Sequence, residues 1–289
     1  MSGMAEVRLM QDGDEVGAES AWDQAYGAVR RENHLPVAER TPDLIELGQR
    51  RLRYLRGTDP GGSWVAEEGT QIVGIAQAHL RGDIWTLATL GVRPGFQDRG
   101  IGRALMTRVL GYGDPGSPGA IFSSPDPRAV HRYVSAGFEL HPTAVAFGPA
   151  RKAINVPPGV RWGSIDDSGT VRDIDRSVRG ADRGSDIEFQ LSIGYRLLVD
   201  DEGGYAIVRE GRVAMLSALD EGIATRLLLS TIAQCPSEAT VDVSWITAEQ
   251  QWAVRALASA GVPIRIHEAI VMRNGWQPQL PYLANGIFG

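Results

Sequence analysis

The sequence predicts an α/β (α+β) chain of two tandem domains, each a sheet flanked by helices, and three observations lead there. The chain has 289 residues, long for one mixed domain and enough for two, each able to bury its own core. Helical and strand patterns follow one another through the first half. Segments of that half then recur, in the same order, in the second.

From Ala18 to Arg31 apolar or small residues recur at helical spacing, and Pro36 stops the segment because its ring blocks continuation. Thr41 reads as an N-cap with Pro42 at the first helical position, opening a second amphipathic helix that closes at Gly57. Ser63 to Ala66 and Gln71 to Leu80, separated by the turn-like EEGT, form a hairpin pattern, and Ile84 to Val92 adds a β-rich segment. Ile101, Ala104, Leu105 and Val109 then make the stripe of a helix packed on that sheet. The turn-rich GYGDPGSPG precedes a short strand, AIFSS, a helix from about Pro127 to Ala136 ended by Gly137, and a strand in VAFG.

These elements complete a first domain at residues 1–150. The stretch ARKAINVPPGVRW, with paired prolines and no sustained period, reads as a linker, and a second domain at residues 156–289 follows. GIGRALM from Gly100 matches GIATRLL from Gly222, and AVHRYVSAGF from Ala129 matches AVRALASAGV from Ala253. Two matches in one order point to a tandem duplication.

Composition narrows the function. A formal net charge of −6 argues against a nucleic-acid partner, whose backbone is held by clustered Lys and Arg. The single cysteine, Cys235, excludes an internal disulfide framework and a four-cysteine zinc site, so no metal is implied. The segment MSGMAEVRLMQDGDEV lacks the apolar stretch of a signal peptide, and no run elsewhere is long enough to span a bilayer. A soluble cytoplasmic protein without a membrane partner is the expectation, as a monomer or homodimer.

The chemistry concentrates in VRPGFQDRGIGR, residues 92–103. A strand end, a glycine-bearing loop and an amphipathic helix start would point several backbone N–H groups and a helix dipole at one spot, which suits an anion. Gly100 and Gly102 let a phosphate approach the main chain, while Arg99 and Arg103 add positive charge. No Gly-Lys-Ser/Thr follows, and the third glycine of the dinucleotide fingerprint is missing, so two nucleotide motifs lose ground.

The segment strongly resembles the signature of the GNAT superfamily of N-acetyltransferases, Gln/Arg-x-x-Gly-x-Gly/Ala after a Val-x-Pro strand end, met here by Gln97, Gly100 and Gly102. The family's second landmark, Ala-x-x-x-Tyr-x-x-x-Gly-Phe, is met by Ala129, Tyr133, Gly137 and Phe138. The resemblance covers roughly residues 5–148, and tandem members of the superfamily are similar over the full length. Asp126 stands where many members have Asn.

The resemblance implies two tandem GNAT-like domains, each a central mixed, mostly antiparallel sheet flanked by helices. It further implies an N-acyltransferase that uses acetyl-CoA, or another short acyl-CoA, as co-substrate. Its pyrophosphate would lie on Gln97, Asp98, Arg99, Gly100, Ile101, Gly102 and Arg103, and its pantetheine arm on Leu90, Gly91 and Val92. Strand N–H groups there would face the acyl carbonyl as an amine of a small molecule or peptide attacks directly. Tyr133 would protonate the departing thiolate, a task suited to a phenol whose ordinary pKa is about 10.

Other readings stay beside these. Tyr133 also fits a core tyrosine with a satisfied hydroxyl. His79, Asp83 and Glu32 give no general base; the apolar segment LPYLANGIFG should dock on the protein, and the resemblance to some two-domain relatives implies the carboxylate of Gly289 as a further base candidate. Arg179, Asp182, Arg183 and Asp186 read as an exposed, ion-paired loop, with a ligand pocket as the alternative. In the second half Asp220 and Glu221 stand where an anion should bind, and Leu257 replaces Tyr133, so that domain reads as a degenerate GNAT-like copy. A non-catalytic acyl-CoA sensor is the competing class.

Overall fold

The computed structural model describes residues 5–34, 37, 39–114, 116–124, 126–155, 158–236, 239–279 and 281–289. Pro36, Val156 and Leu280, which bear on the expected helix stop, second-domain start and docked terminal segment, lie outside them. The chain divides into two compact units, Met1–Arg132 and Tyr133–Gly289.

The first unit runs β1 (Glu6–Leu9), α1 (Asp14–Glu32), α2 (Pro42–Thr58), β2 (Ser63–Glu68), β3 (Gln71–Arg81), β4 (Ile84–Val92), α3 (Ile101–Leu110) and β5 (Gly119–Ser123), with α4 (Pro127–Ser135) crossing the division. Thr41 caps α2 as expected, its side chain accepting from Leu44 N. The first helix starts four residues before Ala18 because Asp14 accepts from Gln11 N and pairs with Arg8 of β1 at 2.6 Å. β1 itself went unread, since four residues of mixed polarity carry little period. The strand order is β1-β2-β3-β4-β5, antiparallel except for β4 with β5.

The two faces of this sheet are sorted by alternation along β3 and β4. Gly74 faces α3, where an added Cβ would lie 3.0 Å from Leu105 and 3.2 Å from Ile101. Gly91 faces α1, where it would lie 3.1 Å from Ala25. Opposite Gln77 and Ala78, β4 carries one extra residue, Ala88, a bulge that bends the strand just before Leu90. The glycine at 91 therefore serves helix approach, and the bulge sits three residues earlier.

The second unit holds β6 (Glu139–Gly148), β7 (Val160–Trp162), α5 (Ser168–Arg179), α6 (Gly184–Ser192), β8 (Arg196–Asp200), β9 (Gly204–Arg209), β10 (Arg212–Ala218), α7 (Glu221–Ala233), β11 (Val241–Ile246), α8 (Gln251–Ser259), β12 (Ile264–Asn274) and β13 (Tyr282–Leu283). From β7 to β12 the order of strands and helices repeats that from β1 to β6, so the duplication read in the sequence is a duplication of fold.

The sheet order in this unit is β12-β6-β11-β10-β9-β8-β7, with β13 added on β10. Strand β6, the sixth of the first repeat, thus lies between the last two strands of the second, antiparallel to both. That pairing is why the compact division falls after Arg132 rather than at the expected boundary between residues 150 and 156, and the stretch read as a linker ends in β7 instead of running free to Trp162. A strand's period predicts its faces but not its partners. The core of this unit gathers Leu216, Ile223, Leu227, Val243, Trp252 and Leu257, among others.

The repeat can be aligned by packing. Gly74 lies opposite Val92 and meets Ile101 and Leu105; Gly204 lies opposite Ala218, and an added Cβ there would lie 2.8 Å from Leu227 and closer still to Ile223. Strand β10 also carries one extra residue, Ala214, at its register shift. Ala88 through Val92 therefore corresponds to Ala214 through Ala218.

Candidate functional site

The loop between β4 and α3 is shaped by positive φ angles. Gly95 (φ 84°), Asp98 (φ 60°) and Gly100 (φ 81°) all sit in the left-handed region, which two glycines enter without cost. Gly100 is the N-cap of α3, and no side chain caps the helix. Nothing lies within 4 Å of a Cβ built on Gly100, so the space before the helix is open. Unsatisfied N–H groups and the positive end of the helix dipole face that space.

Arg93 anchors the loop rather than serving a ligand. Its N–H and Nε donate to Val73 O and Ile72 O, both at 2.8 Å, and its side chain is buried. Gln97 ties the loop to its neighbours: Nε2 donates to Val92 O at 3.2 Å, while Oε1 accepts from Arg128 Nη1 at 3.0 Å. Arg99 is paired with Glu68 at 2.8 Å and lies over the Phe96 ring, so part of its charge is met within the protein. Arg103 is exposed on the first turn of α3.

Two cations beyond the loop went unread in the sequence, Arg128 and Arg132, one turn apart on α4. Asp126 accepts from Arg128 N at 2.9 Å and from Arg128 Nε at 3.1 Å, so the position that departs from the family pattern orients an arginine. Burial pushes the Asp126 carboxyl up, but these contacts outweigh it and hold the group below the ordinary carboxylate range. Arg132 lies against Gly102, its Nη1 at 3.4 Å from where a Cβ would stand. The i, i+4 spacing of the two arginines was a readable signal.

Strand β4 pairs with β5 only at Trp85, Thr86 and Leu87. Among the described residues of the first unit, no strand pairs with that edge of β4 at Leu90, Gly91 and Val92. Over the same stretch α1 lays Trp22 and Ala25 on Gly91. Trp22 is held in a column, with Tyr26 stacked on it at 5.0 Å, Arg51 over its ring at 4.9 Å, and Arg30 over Tyr26 at 5.5 Å. Burial lowers the Arg51 guanidinium to about 10, with Glu19 opposing the shift.

Tyr133 follows Arg132 on α4 and is 4% exposed. Its carbonyl accepts from Phe138 N at 3.0 Å, closing the helix at Gly137 as expected. His79 is fully buried on β3 opposite Thr86, Asp83 is exposed in the following turn, and Glu32 meets Arg128 at 3.4 Å on the surface.

A GNAT acetyltransferase family model matches residues 22–138, from within α1 to just past α4. The match lies wholly within the first half of the chain. No curated protein matches it. Among solved structures, a candidate acetyltransferase from Pyrococcus horikoshii is 19% identical and covers 100% of this chain and 97% of its own, with a TM-score of 0.77. A GCN5-related N-acetyltransferase from Sphaerobacter thermophilus is 14% identical over 96% of this chain and 97% of its own, with a TM-score of 0.58. A tandem GNAT protein from the clavulanic acid biosynthesis pathway is 16% identical over 93% and 98%, with a TM-score of 0.54. These likenesses establish the tandem GNAT fold.

In the second GNAT-fold repeat the loop before the helix is shorter, with two residues, Leu219 and Asp220, between β10 and α7 against eight between β4 and α3. Asp220 caps α7, its Oδ1 accepting from Ile223 N at 2.9 Å. Glu221 pairs with Arg255 at 3.0 Å. Leu257 occupies the turn that Tyr133 holds in the first repeat, its carbonyl accepting from Val262 N at 3.0 Å.

The arginines and aspartates at 179–186 are not the exposed loop that was expected. Arg183 and Asp186 are fully buried and Arg179 is 2% exposed; Asp182 alone pairs at the surface, with Arg176 at 2.7 Å. The reason is a set of partners distant in sequence. Asp175 grips Arg183 Nη2 at 2.7 Å and Nε at 2.9 Å and accepts from Tyr205 at 2.5 Å. Arg183 also donates to Tyr282 at 3.1 Å and to Gly289 O. A buried ion pair persists only when its spare donors and acceptors are met, and here the tyrosines and main chain meet them. Gly289 is thus held by an arginine of the second unit, in a structural contact, and the terminal segment docks as expected, with Tyr282 and Phe288 each 1% exposed.

Proposed function

We propose that the protein is an acyl-CoA-dependent N-acyltransferase that moves an acetyl or other short acyl group to a primary amine of a small molecule or peptide. The observation that carries this reading is the uncapped start of α3 behind Gly100, beside the open edge of β4, inside the segment that matches the GNAT family. Gly100 and Gly102 leave backbone N–H groups accessible to a pyrophosphate, with Ile101, Arg103 and the Asp98 turn completing the cradle. Gln97 and Arg99 hold the loop in that shape through Val92 O and Glu68. Arg128 and Arg132 add charge from α4.

When bound, acyl-CoA supplies an activated thioester. The backbone of Leu90, Gly91 and Val92 would hold the extended arm and offer N–H groups to the reacting carbonyl. Beyond the bulge at Ala88 this stretch keeps its ladder with β3 but has left the pairing with β5, which ends at Leu87, so its other side is available to a ligand. Tyr133 would hold the proton that the departing thiolate needs, and the burial of its side chain keeps it in one place. Acylation through Cys235 has no support, because burial raises that thiol and favours its protonated form.

Titration calorimetry with acetyl-CoA, followed by thiol release against a panel of amines, tests the reading. Binding with turnover of at least one amine is expected. Binding without turnover across the panel would favour an acyl-CoA sensor, and failure to bind would sink both.

A further inference from the structure

The second repeat has the same strand, the same bulge and the same helix as the proposed acyl-CoA groove, yet its groove is filled by the chain itself. Register fixes the correspondence: Leu90, Gly91 and Val92 are matched by Leu216, Ser217 and Ala218. On those residues lies β13, antiparallel, with Leu216 opposite Leu283 and Ser217 opposite Tyr282. Ala218 N donates to Pro281 O at 3.3 Å. The edge that is open in the first repeat is taken here.

The occupying segment is fastened at both ends. Asn285 Nδ2 donates to Ala214 O at 3.3 Å, the carbonyl of the bulge residue. Tyr282 accepts from the buried Arg183 and meets the Trp276 ring edge-on at 5.8 Å. The phosphate end is also met, because the Asp220 carboxylate accepts from Ile223 N, the counterpart of Ile101 N. A carboxylate at that N–H and a strand on that edge satisfy the donors that a nucleotide thioester would require.

We infer that Pro281–Phe288 is a resident occupant of the second repeat's cofactor groove, an intramolecular stand-in for the acyl-CoA arm, with the Asp220 carboxylate in the place of the phosphate. The inference rests on the proposed function of the first repeat for what the groove would otherwise hold. It makes the binding capacity one acyl-CoA per chain. It also gives the second repeat a reason to keep its bulge and its glycine at 204 without any cofactor.

Hydrogen exchange on the full chain, with and without saturating acetyl-CoA, separates the two ideas. The amides of 216–218 and 282–288 are expected to exchange slowly in the free protein and to be unchanged by acetyl-CoA, while 88–103 gains protection. Protection gained at 216–218 on adding acetyl-CoA, or fast exchange there in its absence, overturns the inference. Loss of the expected gain at 88–103 overturns the proposed function instead. Asn285→Ala, which removes the fastening to the bulge, should speed exchange across 282–288 on the order of tenfold. An unchanged rate would refute that fastening. In a Gly102→Glu chain calorimetry should show no acetyl-CoA binding, and residual binding of one equivalent would place a working groove in the second repeat.

Discussion

Asp220 Oδ1 accepts the backbone N–H of Ile223 at 2.9 Å, at the register position where Ile101 N in the first repeat is preceded by Gly100 and meets no capping side chain. The two repeats thus treat one helix start in opposite ways. The Asp220 carboxylate satisfies an N–H that is otherwise unpaired, so Asp220→Ala should lower stability by about 1 kcal/mol. Urea titration reads that loss. Acyl transfer should be unaffected, and an equal fall in turnover would tie the second repeat's helix to the chemistry.

Gly100 has the opposite sensitivity. No atom lies within 4 Å of an added Cβ, so Gly100→Ala meets no clash, but φ is 81° and the cost is backbone strain of roughly 1 to 2 kcal/mol. If the loop relaxes toward negative φ, the N–H groups of α3 turn away and acetyl-CoA affinity falls tenfold or more. Gly100→Asn should lose less, since asparagine enters the left-handed region more readily. Equal affinities for all three chains, by calorimetry, would show that the loop's shape does not matter to binding.

The buried Asp175 makes stability depend on acid pH. Burial raises its carboxyl, but Arg183, Arg179 and Tyr205 outweigh that and set it below the ordinary value of 3.8. The folded value being the lower, the unfolded chain takes up the proton first as pH falls. The stabilisation is complete above the unfolded value and is lost as pH drops through the folded one. Asp175→Asn should therefore cost about 3 to 5 kcal/mol at neutral pH by leaving Arg183 unpaired. Its urea midpoint should then decline less between about pH 5 and pH 3 than that of the parent. A parallel decline would remove Asp175 from the acid response.

What the sequence made legible follows from local physics. Thr41, Gly137 and the Ile101 stripe announce caps and an amphipathic helix because such signals act within a few residues. Partners distant in the chain were not announced. Arg183 looked like a surface charge because Asp175, Tyr205 and Tyr282, which make its burial tolerable, are scattered over three other elements. Strand β6 had a readable pattern but an unreadable neighbour. The shortened loop before α7 and its acidic cap were visible in Asp220 and Glu221, whereas the strand laid on β10 was not, since two residues carry no period. Arg128 and Arg132 share a helix face by their spacing, but that spacing does not say that the face meets the loop at Gly102.

Tyr133 and Leu257 hold equivalent turns, each closing its helix through a carbonyl that accepts the N–H five residues on, Phe138 in one repeat and Val262 in the other. Both side chains are buried, at 4% and 0% exposure, so packing alone does not explain why one carries a hydroxyl. Tyr133→Phe keeps the ring and removes only that group. If the hydroxyl supplies the leaving-group proton, kcat should fall about 10²- to 10⁴-fold while the acetyl-CoA dissociation constant stays within about twofold. A core tyrosine would behave differently: stability would drop by about 1 kcal/mol through a lost hydrogen bond, with kcat unchanged. Steady-state rates and urea titration on the same preparation distinguish the two.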